Sequence, residues 1–297
     1  MFIERVCLLG LGEVGAILAE DLLDTTSVTL RLWDKALDAE GSKAQQHWSK
    51  LSASNRVVRS DDAASAARGC QLVLSAVTAD EAINAAESIL PGLERQCWFV
   101  DLNSVSPGTK CQLGDLVETV GGRFVEASVM SPITPQRLAS PILLGGPNAE
   151  AFAPVGNKLG FINMQAVSAS LGVAAATKMC RSVIIKGVEA LVTESLLAAR
   201  HYGIDAAVLA SLNNLLPRDD WPEYAHYLIT RSLQHGSRRA AEMREVAKTV
   251  SEAGLTPWMS AACAERQDWS AQYKSLLEHQ RLDDLLDAWR AQLENNC

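Results

Sequence analysis

The sequence lacks the features that mark membrane proteins and nucleic-acid-binding proteins. No apolar run reaches the length of a membrane-spanning helix, because charged residues interrupt the longest ones. Positive charge is not in excess either, since the 297 residues carry a net charge of −8, and this argues against nucleic acid as a main partner. We therefore expect a protein that binds neither membranes nor nucleic acid, whereas a local cationic pocket would still suit a small anionic ligand.

Closely spaced cysteines and histidines are also missing. The seven cysteines include no CxxC pair, and the five histidines include no HExxH spacing. An odd number of scattered cysteines is typical of reduced thiols in a cytoplasmic protein, and no metal site is predicted. The N-terminal "MFIERVCLLG" has no small-residue cleavage site, so we interpret it as a first strand and not as a signal peptide.

The sequence divides into two parts with different patterns of predicted secondary structure. Through about residue 165, β-rich runs alternate with helical segments such as "EVGAILAEDLLD" and "PGTKCQLGDLVETV", which is typical of a doubly wound parallel sheet. From "LGVAAATKMC" onward, helical periodicity continues without a convincing strand. We predict an α/β domain over residues 1–166 and an all-helical domain over residues 167–297. The candidate strands are "RVCLLG", "VTLRLW", "RVVRS", "QLVLSAV", "CWFVDL", "GRFVEA", "PILLGG" and "FINMQAV".

Three glycines follow the first candidate strand, in the stretch "LGLGEVGA". The run Gly10-Leu11-Gly12-Glu13-Val14-Gly15 is a GxGxxG pattern between a strand and a helix. In such a loop the first glycine permits a tight turn, the second lets a pyrophosphate approach the backbone, and the third lets helix and strand pack closely. The helix N-terminus adds N–H donors and a favourable dipole for phosphates. An unspecific turn is the alternative. The strand before the loop and the helix after it favour a dinucleotide-binding site formed by these six residues.

An acidic residue ends the next candidate strand. Asp34 follows "VTLRLW", where its carboxylate can accept hydrogen bonds from an adenosine ribose and repel a 2′-phosphate. We therefore predict NAD as the cofactor, with NADP as the alternative because Lys35 adjoins the acid. The predicted cofactor site also includes Val77 and Thr78, at the end of the candidate strand "QLVLSAV".

Three further stretches narrow the family. "DLNSVSP" begins at Asp101 after a candidate strand, "LGVAAATKMCRS" places Lys178 early in an apolar helix, and "VAKTVSEAGLTPWMS" turns from one helix into the next. Together with the glycine loop, these stretches resemble the β-hydroxyacid dehydrogenases, the superfamily that includes 3-hydroxyisobutyrate and 6-phosphogluconate dehydrogenases. The resemblance spans nearly the whole chain.

The resemblance implies a Rossmann-like NAD(P)-binding domain, joined by a long helix to an all-helical domain, with the active site between them. It places the family's catalytic lysine at Lys178 and its substrate-contacting serine at Ser104. It also implies a homodimer or higher homo-oligomer joined through the helical domain. Four tryptophans of that domain are expected to pack its core or the subunit interface; they are Trp221, Trp258, Trp269 and Trp289.

Three positions depart from the family's pattern. The asparagine that usually follows the lysine by four residues is Ser182, and the substrate loop D-A-P-V-S-G-G is replaced by "EASVMSP" at residues 126–132. The lysine–aspartate pair of the helical domain appears as Ala241-Glu242. These replacements leave the predicted cofactor and fold intact and indicate a divergent branch of the superfamily.

The predicted lysine helix carries a polar stripe on an otherwise apolar surface. Lys178, Ser182, Lys186, Glu189 and Thr193 are spaced to lie on one helix face. A solvated stripe is one interpretation. The other is that the two lysines, which are costly to bury alone, pair with an anionic substrate. Partial burial and a neighbouring cation would lower the pKa of Lys178 from its ordinary value of about 10.4, so that it could act as the general acid/base.

Further substrate contacts are predicted in the loops and in a charged helix. Asn103 and Ser104 would hold the carboxylate or hydroxyl of the substrate, with simple turn capping as the alternative. Ser131, in the loop "VMSPITP", is another candidate. In "HGSRRAAEMREVA", Arg239 or His235 could bind a carboxylate or phosphate, whereas salt bridges within the helix explain its charges without a ligand.

These features together predict an NAD(P)-dependent oxidoreductase that transfers a hydride between nicotinamide and a small hydroxy acid or related polar alcohol. Imine reduction on the same scaffold is the nearest alternative, and a lysine at position 178 favours alcohol chemistry over it. The departures at Ser182 and Ala241 suggest a third possibility, a catalytically decayed protein that binds NADH without turnover.

Overall fold

The computed structural model describes residues 3–213 and 216–294. By their internal contacts these residues form two compact units, one up to Met179 and one from Cys180 onward. The units therefore divide inside a long helix, thirteen residues beyond the domain boundary expected between residues 166 and 167. That boundary stays a prediction.

The first unit is built on one sheet of eight strands. They are β1 (Arg5–Leu9), β2 (Thr29–Trp33), β3 (Val57–Arg59), β4 (Leu72–Ser75), β5 (Trp98–Asp101), β6 (Arg123–Val129), β7 (Ile142–Gly145) and β8 (Met164–Ser168). The order in the sheet is β3-β2-β1-β4-β5-β6-β7-β8, and all neighbours are parallel except β6 and β7. Each strand overlaps one candidate strand, so the predicted doubly wound sheet is confirmed.

Helices cover both faces of this sheet. They are α1 (Glu13–Thr25), α2 (Lys43–Leu51), α3 (Ala63–Ala67), α4 (Ala82–Ile89), α5 (Pro107–Thr119) and α6 (Ala149–Lys158). On β1, Val6 and Leu8 lie in one hydrophobic core while Cys7 and Leu9 lie in another, because successive side chains of a strand point to opposite faces. Burial on both faces explains why this strand is an uninterrupted apolar run.

The rest of the described chain is helical. It contains α7 (Val173–His201), α8 (Asp205–Leu212), α9 (Trp221–Glu252), α10 (Trp258–Ser270) and α11 (Leu282–Glu294). Leu196, Ile229, Leu285 and Trp289 contribute to the core of the second unit. The predicted fold class is confirmed: a Rossmann-like domain, a long helix and an all-helical domain. None of the helices in residues 3–213 and 216–294 combines the length and apolar character that crossing a membrane requires.

Six of the seven cysteines lie in the described residues, and their thiols are free. Cys7, Cys70, Cys97 and Cys263 are buried, and burial raises the pKa of Cys70 to about 11 and that of Cys97 to about 12. These thiols therefore stay protonated at neutral pH and behave as small core side chains. Cys297 lies outside the described residues.

Candidate active site

The predicted site residues of the first unit lie along one edge of the sheet. Gly10 follows β1, Asp34 follows β2, Val77 follows β4, Ser104 follows β5 and Ser131 follows β6. These five strands are parallel neighbours, so their carboxyl ends meet at the same edge. Ligands bind at this edge in open α/β sheets. The fold thus brings together loops that are far apart in the sequence.

The glycine loop has the geometry that a pyrophosphate needs. Gly10 has a φ of +96°, and a Cβ there would lie 2.5 Å from the carbonyl oxygen of Ala76. A Cβ at Gly15 would overlap the carbonyl oxygen of Gly10, so α1 packs this closely only without a side chain. At Gly12, the N-cap of α1, a Cβ would meet no atom of the described residues within 4 Å. This open position adjoins the first N–H groups of α1, which suits a phosphate.

Asp34 is held by the backbone of two loops. Its Oδ2 accepts a hydrogen bond from the Leu11 N–H (2.7 Å), and its Oδ1 accepts one from the Ala36 N–H (2.7 Å). From α2, His47 Nδ1 lies 2.9 Å from the carbonyl oxygen of Leu11. The carboxylate is therefore fixed beside the glycine loop, and each oxygen has a further lone pair for a ribose hydroxyl.

Asn103 joins the loops that follow β4 and β5. Its Oδ1 accepts a hydrogen bond from the Val77 N–H (2.7 Å), while its Nδ2 donates to Ser75 Oγ (3.0 Å) and Asp101 Oδ1 (2.5 Å). Asn103 is only 3% exposed, and these bonds use both amide hydrogens. Its predicted contact with substrate stays a prediction.

A buried ion pair supports the same loops. Lys110 Nζ, from α5, donates to Asp101 Oδ2 (2.5 Å) and to the Asp101 carbonyl oxygen (2.8 Å), and both side chains are fully buried. The Asp101 carboxylate therefore connects Lys110 to Asn103. This network holds the short segment that carries Ser104.

Lys178 and Ser104 come together although they are 74 residues apart in the sequence. Lys178 is half-buried in the second turn of α7, and its Nζ donates a hydrogen bond of 2.5 Å to Ser104 Oγ. At the edge that carries the cofactor loops, a lysine beside a hydroxyl can take a proton from a substrate hydroxyl as the neutral amine or return one as the ammonium.

Glu126 of β6 holds the beginning of α7. Its carboxylate is fully buried, with Oε2 accepting a hydrogen bond from the Gly172 N–H (2.7 Å) and Oε1 accepting one from the Ala175 N–H. A carboxylate at a helix N-terminus satisfies N–H groups that lack helical partners and interacts favourably with the helix dipole. Because Lys178 lies within the next turn, this contact ties its position to the sheet.

The second unit contains its own buried polar cluster. Lys186 Nζ lies 3.0 Å from Glu242 Oε2 and donates to Ser182 Oγ (3.1 Å). Burial lowers the pKa of Lys186, and the carboxylate of Glu242 opposes that shift. The charge of Lys186 is thus balanced by α9.

A second ion pair links the same two helices. Arg239 of α9 pairs with Glu189 of α7, and both side chains are almost fully buried. Gln267 Nε2, from α10, lies 3.5 Å from Glu189 Oε2. Arg238 pairs with Glu242, as their helical spacing predicted. The predicted substrate contacts of Ser182, Lys186 and Arg239 stay predictions.

Other predicted site residues have local partners. Ser131 Oγ donates to the carbonyl oxygen of Pro132 (3.2 Å), and its contact with substrate stays a prediction. The carbonyl oxygen of Thr78 accepts from the Glu81 N–H (3.0 Å), and Lys35 Nζ lies 2.6 Å from Glu81 Oε1. In the part of the chain that the structure describes, no group of three or more His, Cys, Asp or Glu side chains is placed to hold a metal ion.

Comparison with known proteins agrees with this geometry. The family model for the NAD binding domain of 6-phosphogluconate dehydrogenase matches residues 5–162, more than half of the chain. The chain belongs to the β-hydroxyacid dehydrogenase superfamily. Members of this superfamily are NAD-dependent hydroxyacid dehydrogenases, and the chain has their NAD(P)-binding domain. A second family model, for a domain of unknown function, matches residues 199–270 in the helical part.

Individual relatives within the superfamily are distant. Human mitochondrial 3-hydroxyisobutyrate dehydrogenase is 25% identical over 216 residues, which are 72% of this chain and 62% of that enzyme. The crystal structure of a conserved hypothetical protein from Sinorhizobium meliloti 1021 is 32% identical, with a TM-score of 0.71 and coverage of 96% of this chain and 97% of that one. Mycobacterium tuberculosis 3-hydroxyisobutyrate dehydrogenase with L-serine has a TM-score of 0.69 and covers 97% of this chain and 100% of its own. At 15% identity, that enzyme shows the fold alone.

Three polar residues of this candidate site were not predicted from the sequence. Lys110 carries no local signal, because a lysine in an amphipathic helix normally faces solvent. Glu81 resembles any exposed acid after a strand. Glu126 did have a signal: it stands at the aspartate position of the D-A-P-V-S-G-G pattern, so an acid is kept where the rest of that pattern is replaced.

Proposed function

We propose that this chain is an NAD(P)-dependent oxidoreductase with Lys178 as its general acid/base. It transfers a hydride between nicotinamide and the hydroxyl-bearing carbon of a small hydroxy acid or related polar alcohol. The observation that carries the proposal is the 2.5 Å hydrogen bond from Lys178 Nζ to Ser104 Oγ, at the sheet edge that also bears the glycine loop.

The residues of the cofactor site fit a dinucleotide. Gly12 leaves the start of α1 open for a pyrophosphate, while Gly10 and Gly15 permit the turn and the close packing of α1. The carboxylate of Asp34, held by the N–H groups of Leu11 and Ala36, would accept hydrogen bonds from the adenosine ribose. When bound, the nicotinamide supplies the hydride acceptor or donor. Asn103 fixes the backbone of Val77 at the end of β4.

Lys178 and Ser104 handle the proton and the orientation of the substrate. During oxidation, the neutral amine of Lys178 takes the hydroxyl proton as the C–H bond releases its hydride, and the C–O single bond becomes a carbonyl. Ser104 Oγ holds the reacting oxygen by a hydrogen bond. During reduction, the ammonium of Lys178 returns the proton to that oxygen. The Glu126 contact and the network of Lys110, Asp101 and Asn103 keep these two groups in place.

A small anionic substrate is part of the proposal. Lys186 has three N–H donors, whereas Ser182 and Glu242 are its side-chain partners in the described chain. A carboxylate or phosphate oxygen can therefore share this ammonium. Arg239 and Ser131 remain candidates for further contacts with the substrate.

A substrate panel tests the proposed function. The protein is incubated with NAD and small 3-hydroxy acids, then with phosphorylated and phosphonate analogues, while NADH absorbance is followed. Turnover of at least one hydroxy acid is expected. Turnover of imines alone would support the imine reductase alternative, and NADH binding with no turnover across the panel would support the catalytically decayed protein.

We expect NADH to bind more tightly than NADPH because of Asp34. Asp34→Ala removes both the acceptor for the ribose hydroxyls and the charge that repels a 2′-phosphate, so the ratio of the two Kd values should shift towards NADPH by about tenfold. Fluorescence titration with each nucleotide measures this shift. Asp34→Asn, which keeps one oxygen acceptor, should shift the ratio less. Equal or tighter binding of NADPH by the wild type would contradict the prediction.

The exposed apolar side chains of the helical unit support a homodimer. Ile184 is 67% exposed and Leu191 is 56% exposed on α7, and Trp258 is 77% exposed at the start of α10. Trp221 and Trp289 are buried in the core instead. We expect a homodimer formed mainly by residues beyond about 170, which covers such side chains.

Light scattering at micromolar concentration measures this assembly. Ile184→Glu should shift the dimer towards monomer, because it places a charge in an apolar interface. Ile162→Glu, at a similarly exposed isoleucine of the first unit (61% exposed), is the matched control and should leave the dimer intact. A wild-type monomer, or the same response in both variants, would argue against this interface.

A further inference from the structure

A salt bridge connects the two loops that flank the end of β1. Lys35 directly follows Asp34 after β2, and Glu81 ends a short 3-10 turn (Ala79–Glu81) after β4. In the sheet, β1 pairs with β2 on one side and with β4 on the other, and its own carboxyl end runs into the glycine loop. The 2.6 Å contact between Lys35 Nζ and Glu81 Oε1 therefore joins the loops on either side of the cofactor-binding loop.

The surroundings of Lys35 are acidic. The hydrogen bond and charge of Glu81, together with the charges of Asp80 and Asp34, raise the pKa of Lys35, so it remains an ammonium at neutral pH. Glu81 thus pairs with Lys35, and Asp80 and Asp34 add negative charge around it. The side chain of Lys35 is 63% exposed and that of Glu81 is 28% exposed, so water and ligands can reach the pair, and an exposed pair of this kind is held only weakly.

This position matters because NADP differs from NAD by a phosphate on the adenosine 2′-oxygen. In dinucleotide-binding folds, residues at the end of the second strand contact that oxygen. An acidic residue there binds the free hydroxyl of NAD, and a nearby cation binds the phosphate of NADP. Asp34 supplies the acid, and Lys35 is the nearest cation in the sequence. When Lys35 is paired with Glu81, its ammonium binds a carboxylate and not the 2′-phosphate of NADP. The negative charges of Asp80 and Glu81 also repel that phosphate.

We infer that Glu81 is a specificity-determining residue that acts through Lys35, holding the lysine away from a 2′-phosphate so that the site prefers NAD to NADP. The inference rests on the proposed cofactor site and adds a residue to it. Asp34 and Glu81 then favour NAD in different ways. Asp34 interacts with the ribose directly, whereas Glu81 forms a salt bridge with the neighbouring Lys35.

The test measures the Kd values of NADH and NADPH by fluorescence titration, which requires no substrate. Glu81→Gln should tighten NADPH binding by about threefold to tenfold, because it releases Lys35 and removes a negative charge. The Kd of NADH should change by less than about twofold. The gain for NADPH should shrink at high salt, since the groups are exposed. Glu87→Gln, at an exposed glutamate of α4, is the matched control and should change neither Kd.

Repeating the test in a variant that lacks Lys35 separates the effect of releasing Lys35 from the direct repulsion between Glu81 and the 2′-phosphate. In Lys35→Met, the further change Glu81→Gln should tighten NADPH binding by less than about twofold, because it then removes only the repulsion by an exposed carboxylate and releases no cation. An equal gain for NADPH with and without Lys35 would overturn the inference, as would an unchanged Kd in the single variant Glu81→Gln. Failure of the wild type to bind either nucleotide would instead remove the proposed cofactor site, and the inference with it. The two failures are therefore distinct.

Discussion

Lys178→Met is expected to lower kcat by about 10²- to 10⁴-fold, the usual contribution of a general acid/base. The substitution removes the amine that exchanges the substrate proton and keeps a side chain of similar length for packing in α7. The Kd of NADH should stay within about twofold of the wild-type value, because the glycine loop and Asp34 are unchanged. Steady-state kinetics on the first responsive substrate, combined with NADH titration, measures both quantities. Lys178→Ala should behave in the same way.

A matched control separates the loss of proton transfer from the loss of a positive charge. Lys158→Met makes the same chemical change at an exposed lysine of α6 and should keep full activity. Thermal unfolding of Lys178→Met should resemble that of the wild type, because Lys178 is only half-buried. Full activity in Lys178→Met would end the proposed mechanism, whereas activity lost only in proportion to folded protein would make Lys178 a structural residue.

The second large effect is expected on stability. Lys110→Met should lower the free energy of unfolding by about 3–5 kcal/mol, because it leaves the fully buried carboxylate of Asp101 without its counter-charge. Urea unfolding, followed by circular dichroism and by the fluorescence of the tryptophans, which include Trp98 in the neighbouring core, measures the change. In Lys110→Met the loop that carries Ser104 should also be less well fixed, so the kcat of this variant should fall.

Removing both charges is the control for this prediction. The double variant Asp101→Asn/Lys110→Met removes both charges of this ion pair, and the amide at position 101 can still accept a hydrogen bond from Asn103. Most of the lost stability should therefore return, since removing both members of a buried ion pair is often nearly neutral. Wild-type stability in Lys110→Met, or a double variant less stable than the single one, would contradict the prediction that an uncompensated charge at Asp101 is what destabilises Lys110→Met.

The α/β half of the fold was predictable because its signals are local. A strand buried on both faces appears as an apolar run such as "VCLL", and the three glycines mark the following turn by their spacing alone. The polar stripe on α7 was also visible from its spacing. The partners of that stripe were not: Glu242 lies 56 residues from Lys186, and Arg239 lies 50 residues from Glu189. A helical spacing shows which residues share a face but does not show what that face packs against.

The active-site prediction depended on different kinds of signal. Lys178 and Ser104 were chosen separately, from motifs that resemble the superfamily, and the structure adds the hydrogen bond between them. Asn103 was chosen for a contact with substrate, which stays a prediction, and the structure adds that its amide links two loops of the protein. The motif identified an important position there, but the direction of the side chain depends on neighbouring strands that the motif does not contain.

By itself, the sequence determined the order of strands and helices, the dinucleotide-binding loop and the superfamily, because apolar periodicity and glycine spacing act over a few neighbouring residues. Only the tertiary structure decided which charges are buried and with which partners: Lys110 with Asp101, and Glu126 with the first turn of α7. The physical reason is that a charge is stable in the interior only where the fold supplies an opposite charge or hydrogen-bonding groups. Those groups come from other elements of the chain, brought close by the sheet.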